Sequence, residues 1–258
     1  MAIRVVVSGA AGRMGLESCR SVAQDPDLEL VGAVDVSRVG ESIACLAGEP
    51  VPDLPISSDL AATIRQADAA VVIDFSVPHT RNEVFRTIVE AGARPVVGTT
   101  GWSPADIEAA RRLVNVHGSA AIIAPNFSIG AILMMKFARE AARHLSSVEI
   151  IELHHDKKLD APSGTAVKTA EMIASAQPDR PPARFDPARG KIVDGVRIHS
   201  VRLPGLLAHQ KVIFGGLGET LTIAHDSLSR ECFMPGVVLA AKRVLELREL
   251  VYGLDNLL

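Results

Sequence analysis

Short apolar runs alternate with stretches of helical spacing through the first half of the chain. Ile3 to Ser8 is almost wholly apolar, as a central parallel strand covered on both faces requires. Gly9-Ala-Ala-Gly-Arg-Met-Gly15 follows, then a helical pattern to about Gln24 and a second strand, Leu28 to Val34, closed by Asp35. Gly40 to Pro55 lacks periodicity and reads as a surface loop. Ser57-Ser58-Asp59 caps a helix to about Gln66, and the alternation resumes with strand Ala69–Asp74, helix Pro78–Ala91 stopped by Gly92, and strand Pro95–Val97. A helix capped by Ser103 with Pro104 at its first position comes next, then strand Ala120–Ala124. This rhythm predicts an α/β fold, a doubly wound parallel sheet of the Rossmann kind.

Beyond Asn126 the pattern changes. A helix, Ala131–His144, precedes strand Val148–His155 and a helix opening at Ser163. The Pro- and Arg-rich segment Gln177–Gly190 reads as a loop. Strand-like runs follow at Lys191–Val193, Val196–Arg202, Gln210–Phe214 and Thr220–His225, with Asp194-Gly195 as a hairpin turn. Strands in succession predict a mixed or antiparallel sheet, hence a second, α+β domain. A last helix, Arg230 to about Glu249, has an apolar stripe through Val237, Val238, Ala241, Val244 and Leu245.

Composition narrows the class. Hydrophobic residues make up 48% of the 258 residues but aromatics only 3%, so the core is aliphatic. A formal net charge of −3 argues against a nucleic-acid-binding surface. No apolar run approaches the ~20 residues of a membrane span. The N-terminus enters a strand without signal-peptide features, and three scattered cysteines fit neither a disulfide framework nor a zinc site. The expectation is a soluble, cytoplasmic protein.

Two stretches carry candidate chemistry. The first is the glycine turn between two strands with an acidic residue ending the second, the arrangement of a dinucleotide site. Its spacing, G-x-x-G-x-x-G, meets the usual fingerprint only approximately. Gly9 and Gly12 let backbone approach a pyrophosphate, with Ala10, Ala11, Arg13 and Met14 alongside, and Gly15 allows close helix packing. Asp35 can accept hydrogen bonds from an NAD ribose and would repel a 2′-phosphate. Val36 follows it and offers NADP no cation, although Arg38 lies three residues on. The second stretch runs from Glu149 to Ala166. It sets His154, His155, Lys157, Lys158 and the donor-rich start of a helix at Ser163-Gly164-Thr165 within a short span. Helix N-termini favour anions, while Lys and His can give protons. That combination suits a small carboxylate-bearing substrate that must be protonated. Adjacent histidines on a strand point to opposite faces, so they are poorly placed to share a metal ion, and none is expected.

The order E-x-H-H-x-x-K-x-D-A-P-S-G-T-A, from Glu152 to Ala166, closely resembles the signature of the dihydrodipicolinate (4-hydroxy-tetrahydrodipicolinate) reductase family of lysine and diaminopimelate synthesis. Gly98-Thr99-Thr100-Gly101 and Ala124-Pro125-Asn126-Phe127-Ser128 resemble the family's nicotinamide-side segments, in the same order. The resemblance implies cofactor contact at Gly98, Thr99, Thr100, Ala124, Pro125, Asn126 and Phe127. With it, His154 is the expected general acid/base and Lys158 the proton donor and charge partner. His155, Ser163, Gly164 and Thr165 would hold a ring carboxylate of the dicarboxylate substrate. The resemblance further implies NADPH as well as NADH, and Asp35 followed by Val36 leads to the expectation that NADH is used at least as well. It also implies a dinucleotide domain of residues 1–126 plus 230–258, a substrate and tetramerisation domain of residues 127–229, and a homotetramer. Arg202 to Gln210 departs from the glycine-richer loop of many members, and His199, His209 and His225 read as structural or surface groups.

Two other classes keep the glycine turn. A semialdehyde dehydrogenase needs a nucleophilic cysteine, and neither Cys19 nor Cys232 stands at an obvious nucleophile position. A silent NAD-sensing protein has no use for His154 and Lys158.

Overall fold

A computed structural model describes residues 1–177 and 186–258. The chain divides into two compact units, Met1–Ser128 with Phe233–Leu258, and Ile129–Cys232. In the first, β1 (Ile3–Ser8) leads to α1 (Arg13–Gln24), and β2 (Leu28–Val34) to a short α2 (Ile43–Ala47) and β3 (Ile56–Ser57). Then come α3 (Leu60–Gln66), β4 (Val71–Asp74), α4 (Arg81–Glu90), β5 (Arg94–Val97), α5 (Pro104–Val116) and β6 (Ala121–Ile123). Side chains set these starts. Asp59 accepts from the Ala62 N–H at the head of α3, and Ser103 and Asp106 form a reciprocal capping box on α5.

The second unit holds α6 (Ile129–Ala142), β7 (Ser147–His154), α7 (Gly164–Ala176), β8 (Lys191–Val193), β9 (Val196–Arg202), β10 (Ala208–Gly216) and β11 (Glu219–Ser227). Its sheet runs β11-β10-β7-β9-β8, with β7 and β9 parallel and the other neighbours antiparallel. The mixed sheet expected from consecutive strands is therefore present. Of the expected loop Gln177–Gly190, residues 178–185 lie outside the described residues, and Pro187–Arg189 is a 3-10 turn.

The chain then returns to the first unit through α8 (Met234–Arg243) and β12 (Leu250–Tyr252). That completes a parallel seven-stranded sheet in the order β12-β6-β5-β4-β1-β2-β3. Apolar clusters line it: Phe85, Val89, Val97, Val114 and Ile123 in one, Val6, Val34, Ile64, Val72 and Ile88 in the other. Two expectations fail here. The Gly40–Pro55 loop contains α2, held because Ile43 is fully buried and its N–H donates to the Leu54 carbonyl. The single last helix is broken. Arg94 donates to the Val244 and Leu247 carbonyls at 2.8 and 3.4 Å, taking up acceptors at the helix end. The chain beyond then adds the edge strand β12 beside β6.

Candidate active site

In the first unit the glycine turn opens a cavity of about 950 Å³, lined in part by Gly9, Gly12, Asp35, Val36, Ser76 and Thr80. Gly9 has φ +74°, and a Cβ there would lie 2.6 Å from the Phe75 carbonyl oxygen. A Cβ on Gly15 would lie 2.0 Å from the Gly9 carbonyl oxygen, so α1 can pack this closely on the turn only with glycine. Gly12 is the N-cap of α1 and no side chain caps that helix, which leaves its first-turn N–H groups, those of Arg13 and Met14 included, facing an anion's position. Ala10 is fully buried, and its N–H is used by the Val34 carbonyl. Asp35 ends β2 and accepts from the Ala11 N–H at 3.0 Å and from the Ser37 N–H and hydroxyl at 2.8 and 2.7 Å. It thus braces the turn as well as bordering the cavity. Arg38, three residues on, is bonded to Glu41 at 3.3 Å. These residues fit a dinucleotide: an uncapped helix start for the pyrophosphate and an acceptor for the ribose.

The Gly98–Thr100 turn follows β5. A Cβ on Gly98 would meet the Phe75 ring at 2.1 Å, so glycine is required where the ring lies. Phe75 stacks edge-on against Phe127, ring centroids 5.9 Å apart. Thr99 is buried and donates from its hydroxyl to Asp74 Oδ2 at 2.9 Å, while Thr100 is exposed. Ala124 is buried, Pro125 exposed, and Asn126 Oδ1 accepts from the Ser128 N–H at 2.8 Å. Asp74 was not among the expected residues. It is buried at the end of β4, and burial pushes its carboxyl up, against the hydrogen bonds it accepts.

In the second unit, β7 ends at His154 and delivers the chain to the start of α7. Strand period two puts Glu152 and His154 on one face. Glu152 is fully buried and its Oε2 lies 2.5 Å from His154 Nδ1. Its Oε1 accepts from the Ser163 N–H at 3.3 Å, and Ser163 in turn caps α7 by accepting from the Ala166 N–H. Arg202 donates to both Glu152 oxygens, at 2.9 and 2.8 Å, and to the Asp160 carbonyl at 2.7 Å. Lys158 Nζ lies 2.7 Å from Asp160 Oδ1. His154, Lys158 and Ser163 are therefore linked through one network of contacts. His155 is half-buried; Gly164 is exposed with open space before it; Thr165 is half-buried in the first turn.

Burial would push the Glu152 carboxyl up, but the hydrogen bonds from His154, Arg202 and Ser200 outweigh it and hold the group down at about 2. Asp160 is also held below the usual carboxylate range: burial acts upward and the Lys158 ammonium overrides it. Neither Glu152 nor Arg202 was an expected site residue. The Glu152 signal was available in the two-residue spacing from His154. The Arg202 signal was not, because only the parallel β7–β9 register brings Arg202 opposite His154.

Other groups stay apart from this chemistry. His199 pairs with Glu149 at 2.7 Å and His209 with Asp226 at 2.8 Å, and His225 packs against Gly130. Cys19 is buried inside α1 and its thiol is pushed up to about 12 by burial, so it is no nucleophile near neutral pH. Among the described residues no cluster of His, Cys, Asp and Glu is arranged to hold a metal ion, and no helix is long and apolar enough to cross a membrane.

Comparison with known proteins covers both units. The family model described as dihydrodipicolinate reductase, N-terminus, matches residues 3–127, and the corresponding C-terminus model matches residues 130–258. A 4-hydroxy-tetrahydrodipicolinate reductase of Moorella thermoacetica is 52% identical over 99% of this chain and 98% of its own. One of Geobacillus thermodenitrificans is 48% identical over the whole of both. A dipicolinate-bound dihydrodipicolinate reductase from Paenisporosarcina sp. TG-14 superposes with a TM-score of 0.86 at 43% identity, covering 100% of each chain. An amine dehydrogenase from Mycobacterium smegmatis, 14% identical with a TM-score of 0.71 over 99% of this chain and 96% of that one, shares the fold alone.

Proposed function

The chain belongs to the dihydrodipicolinate reductase family, and from that premise we propose that it reduces 4-hydroxy-tetrahydrodipicolinate to tetrahydrodipicolinate with NAD(P)H and a proton, the 4-hydroxyl leaving as water, a step of diaminopimelate and lysine synthesis. The observation that carries this reading is the network joining His154, Lys158 and the Ser163 cap at the open start of α7. The bound nicotinamide supplies the hydride. The residues of the chain orient, neutralise and protonate.

The uncapped start of α1 receives the pyrophosphate and Asp35 the adenine-side ribose. Gly98 to Thr100 and Ala124 to Phe127 border the nicotinamide side. In the second unit Ser163, Gly164 and Thr165 offer backbone N–H and hydroxyl donors to a ring carboxylate, with His155 beside them. Lys158 neutralises that carboxylate and gives the proton that the reduced ring needs, and His154 serves as general acid/base. The first unit with the returning helix is the dinucleotide domain, close to residues 1–126 plus 230–258. Residues 127–229 form the substrate and tetramerisation domain of a cytoplasmic homotetramer.

Consumption of NADH with freshly made product of dihydrodipicolinate synthase tests the activity. Lys158→Ala is expected to lower turnover by about 10² or more with the affinity for NADH nearly unchanged. Near-normal turnover in that variant removes Lys158 from the mechanism. Val36 beside Asp35 offers no cation and Arg38 is engaged with Glu41, so NADH is expected to serve at least as well as NADPH. An efficiency more than about tenfold higher with NADPH overturns that assignment.

A further inference from the structure

Besides a hydrogen bond from Ser200, both oxygens of Glu152 are turned toward donors of the candidate site. Oε2 faces His154 Nδ1 at 2.5 Å and Arg202 Nη1 at 2.9 Å, and Oε1 faces Arg202 Nη2 at 2.8 Å and the Ser163 N–H at 3.3 Å. A carboxylate accepts and does not donate, so the neutral His154 ring beside it carries its proton on Nδ1. Nε2 is then the nitrogen left with a lone pair for proton exchange. The same carboxylate also fixes the backbone of the residue that caps α7. Arg202 extends the hold, because its second nitrogen donates to the Asp160 carbonyl on the loop that carries Lys158. We propose that Glu152, braced by Arg202, is a positioning residue: it selects the Nδ1–H tautomer of His154 and sets the imidazole in register with the carboxylate-binding turn at Ser163.

A purely structural ion pair would need only the two contacts to Arg202. The shortest contact of the set goes instead to His154. A buried carboxylate with all its acceptor sites used is also costly to rearrange, which suits a group whose task is to hold others still. The proposal rests on the reading of His154 as the proton-transfer group, and the experiment separates the two.

The probe is the full chain labelled with 15N-histidine, with His154 resonances assigned by their loss in His154→Gln. Spectra are recorded at about pH 9, where an ordinary imidazole is neutral. The wild-type protein is expected to show His154 with its proton on Nδ1, and Glu152→Gln to shift population toward the Nε2–H form, since the amide can donate to Nδ1. In the same variant kcat is expected to fall about 10- to 100-fold, with KM for NADH unchanged. A wild-type ring protonated on Nε2 overturns the proposal, and that result does not depend on the variant folding. So does a Glu152→Gln enzyme with kcat within about twofold of wild type, well short of the 10- to 100-fold loss expected for such a group. If His154→Gln itself keeps normal turnover, the reading of His154 fails. If His154→Gln is inactive while Glu152→Gln is fully active, only the positioning role fails.

Discussion

Asp74 in the first unit and Glu152 in the second are both buried carboxylates, 1% and 0% exposed, and they answer burial in opposite ways. Asp74 accepts from neutral donors, the Thr99 hydroxyl and the Ser76 N–H. Glu152 accepts from a guanidinium and an imidazole as well as from a backbone N–H. Burial wins at Asp74, whose carboxyl is pushed up; at Glu152 burial is outweighed and the carboxyl is held at about 2. Neutral donors satisfy a carboxylate's geometry without restoring the solvation its charge has lost, whereas cations next to it do both. The nucleotide unit therefore keeps its buried acid as a loop tie. The second unit keeps its own ionised, as the hub of a charged network.

The largest expected effect lies on the Glu152 side. Glu152→Ala leaves Arg202 and His154 without their shared acceptor and opens a cavity below α7, and is expected to cost about 3 kcal/mol or more. Faster amide hydrogen exchange along β7 and β10 is the expected outcome and the measurement, because Trp102 and Tyr252, the chain's only residues of their kinds, both belong to the first unit. Unchanged protection there would mean the network contributes no stability, and the contrast with Asp74 would lose its meaning.

Gly98→Ala probes the neutral side. The added Cβ would fall 2.1 Å from the Phe75 ring, which must swing away from its edge contact with Phe127. Overpacking of this kind costs typically about 1–3 kcal/mol. It also displaces the turn that delivers Thr99 to Asp74, so weaker NADH binding by titration is expected alongside the loss of stability. Unaltered cofactor affinity would detach this turn from the nicotinamide side.

What the sequence disclosed follows physical range. The β1-turn-α1-β2 unit was legible because a parallel strand buried on both faces is a continuous apolar run and glycines are needed where backbones touch. His154, Lys158 and Ser163 were legible because they are contiguous. Arg202 was not: it lies 50 residues from Glu152 and reaches it only through strand register. The Asp74–Thr99 pair, 25 residues apart across β4 and β5, was hidden for the same reason. β12 was missed because three residues carry no period, and α2 because its five residues amount to little more than one turn.

The smallest expected effect discriminates most sharply between the two carboxylates. Asp74→Asn can keep its contacts with the Ser76 N–H and Thr99: Oδ1 accepts from the Ser76 N–H, Nδ2 donates to Thr99 Oγ1, and the Thr99 hydroxyl turns to the Ser76 carbonyl, already 3.3 Å away. Where Asp74 is ionised the change removes a buried negative charge, so stability is expected to shift by less than about 1 kcal/mol, in the stabilising direction. The pH dependence fixes the sign. A carboxyl raised on folding contributes stability that is present below its unfolded value, 3.8, and is lost as pH rises through the folded value. Asp74→Asn should therefore gain on wild type as pH rises through that range. Glu152 runs the other way: its contribution is present above the unfolded value of 4.5 and disappears as pH falls toward about 2. Urea midpoints for Asp74→Asn and Glu152→Gln against wild type, taken from pH 2.5 to 7, should diverge with opposite slopes. Parallel curves would mean that the imidazole and guanidinium do no more for Glu152 than a hydroxyl and an amide N–H do for Asp74.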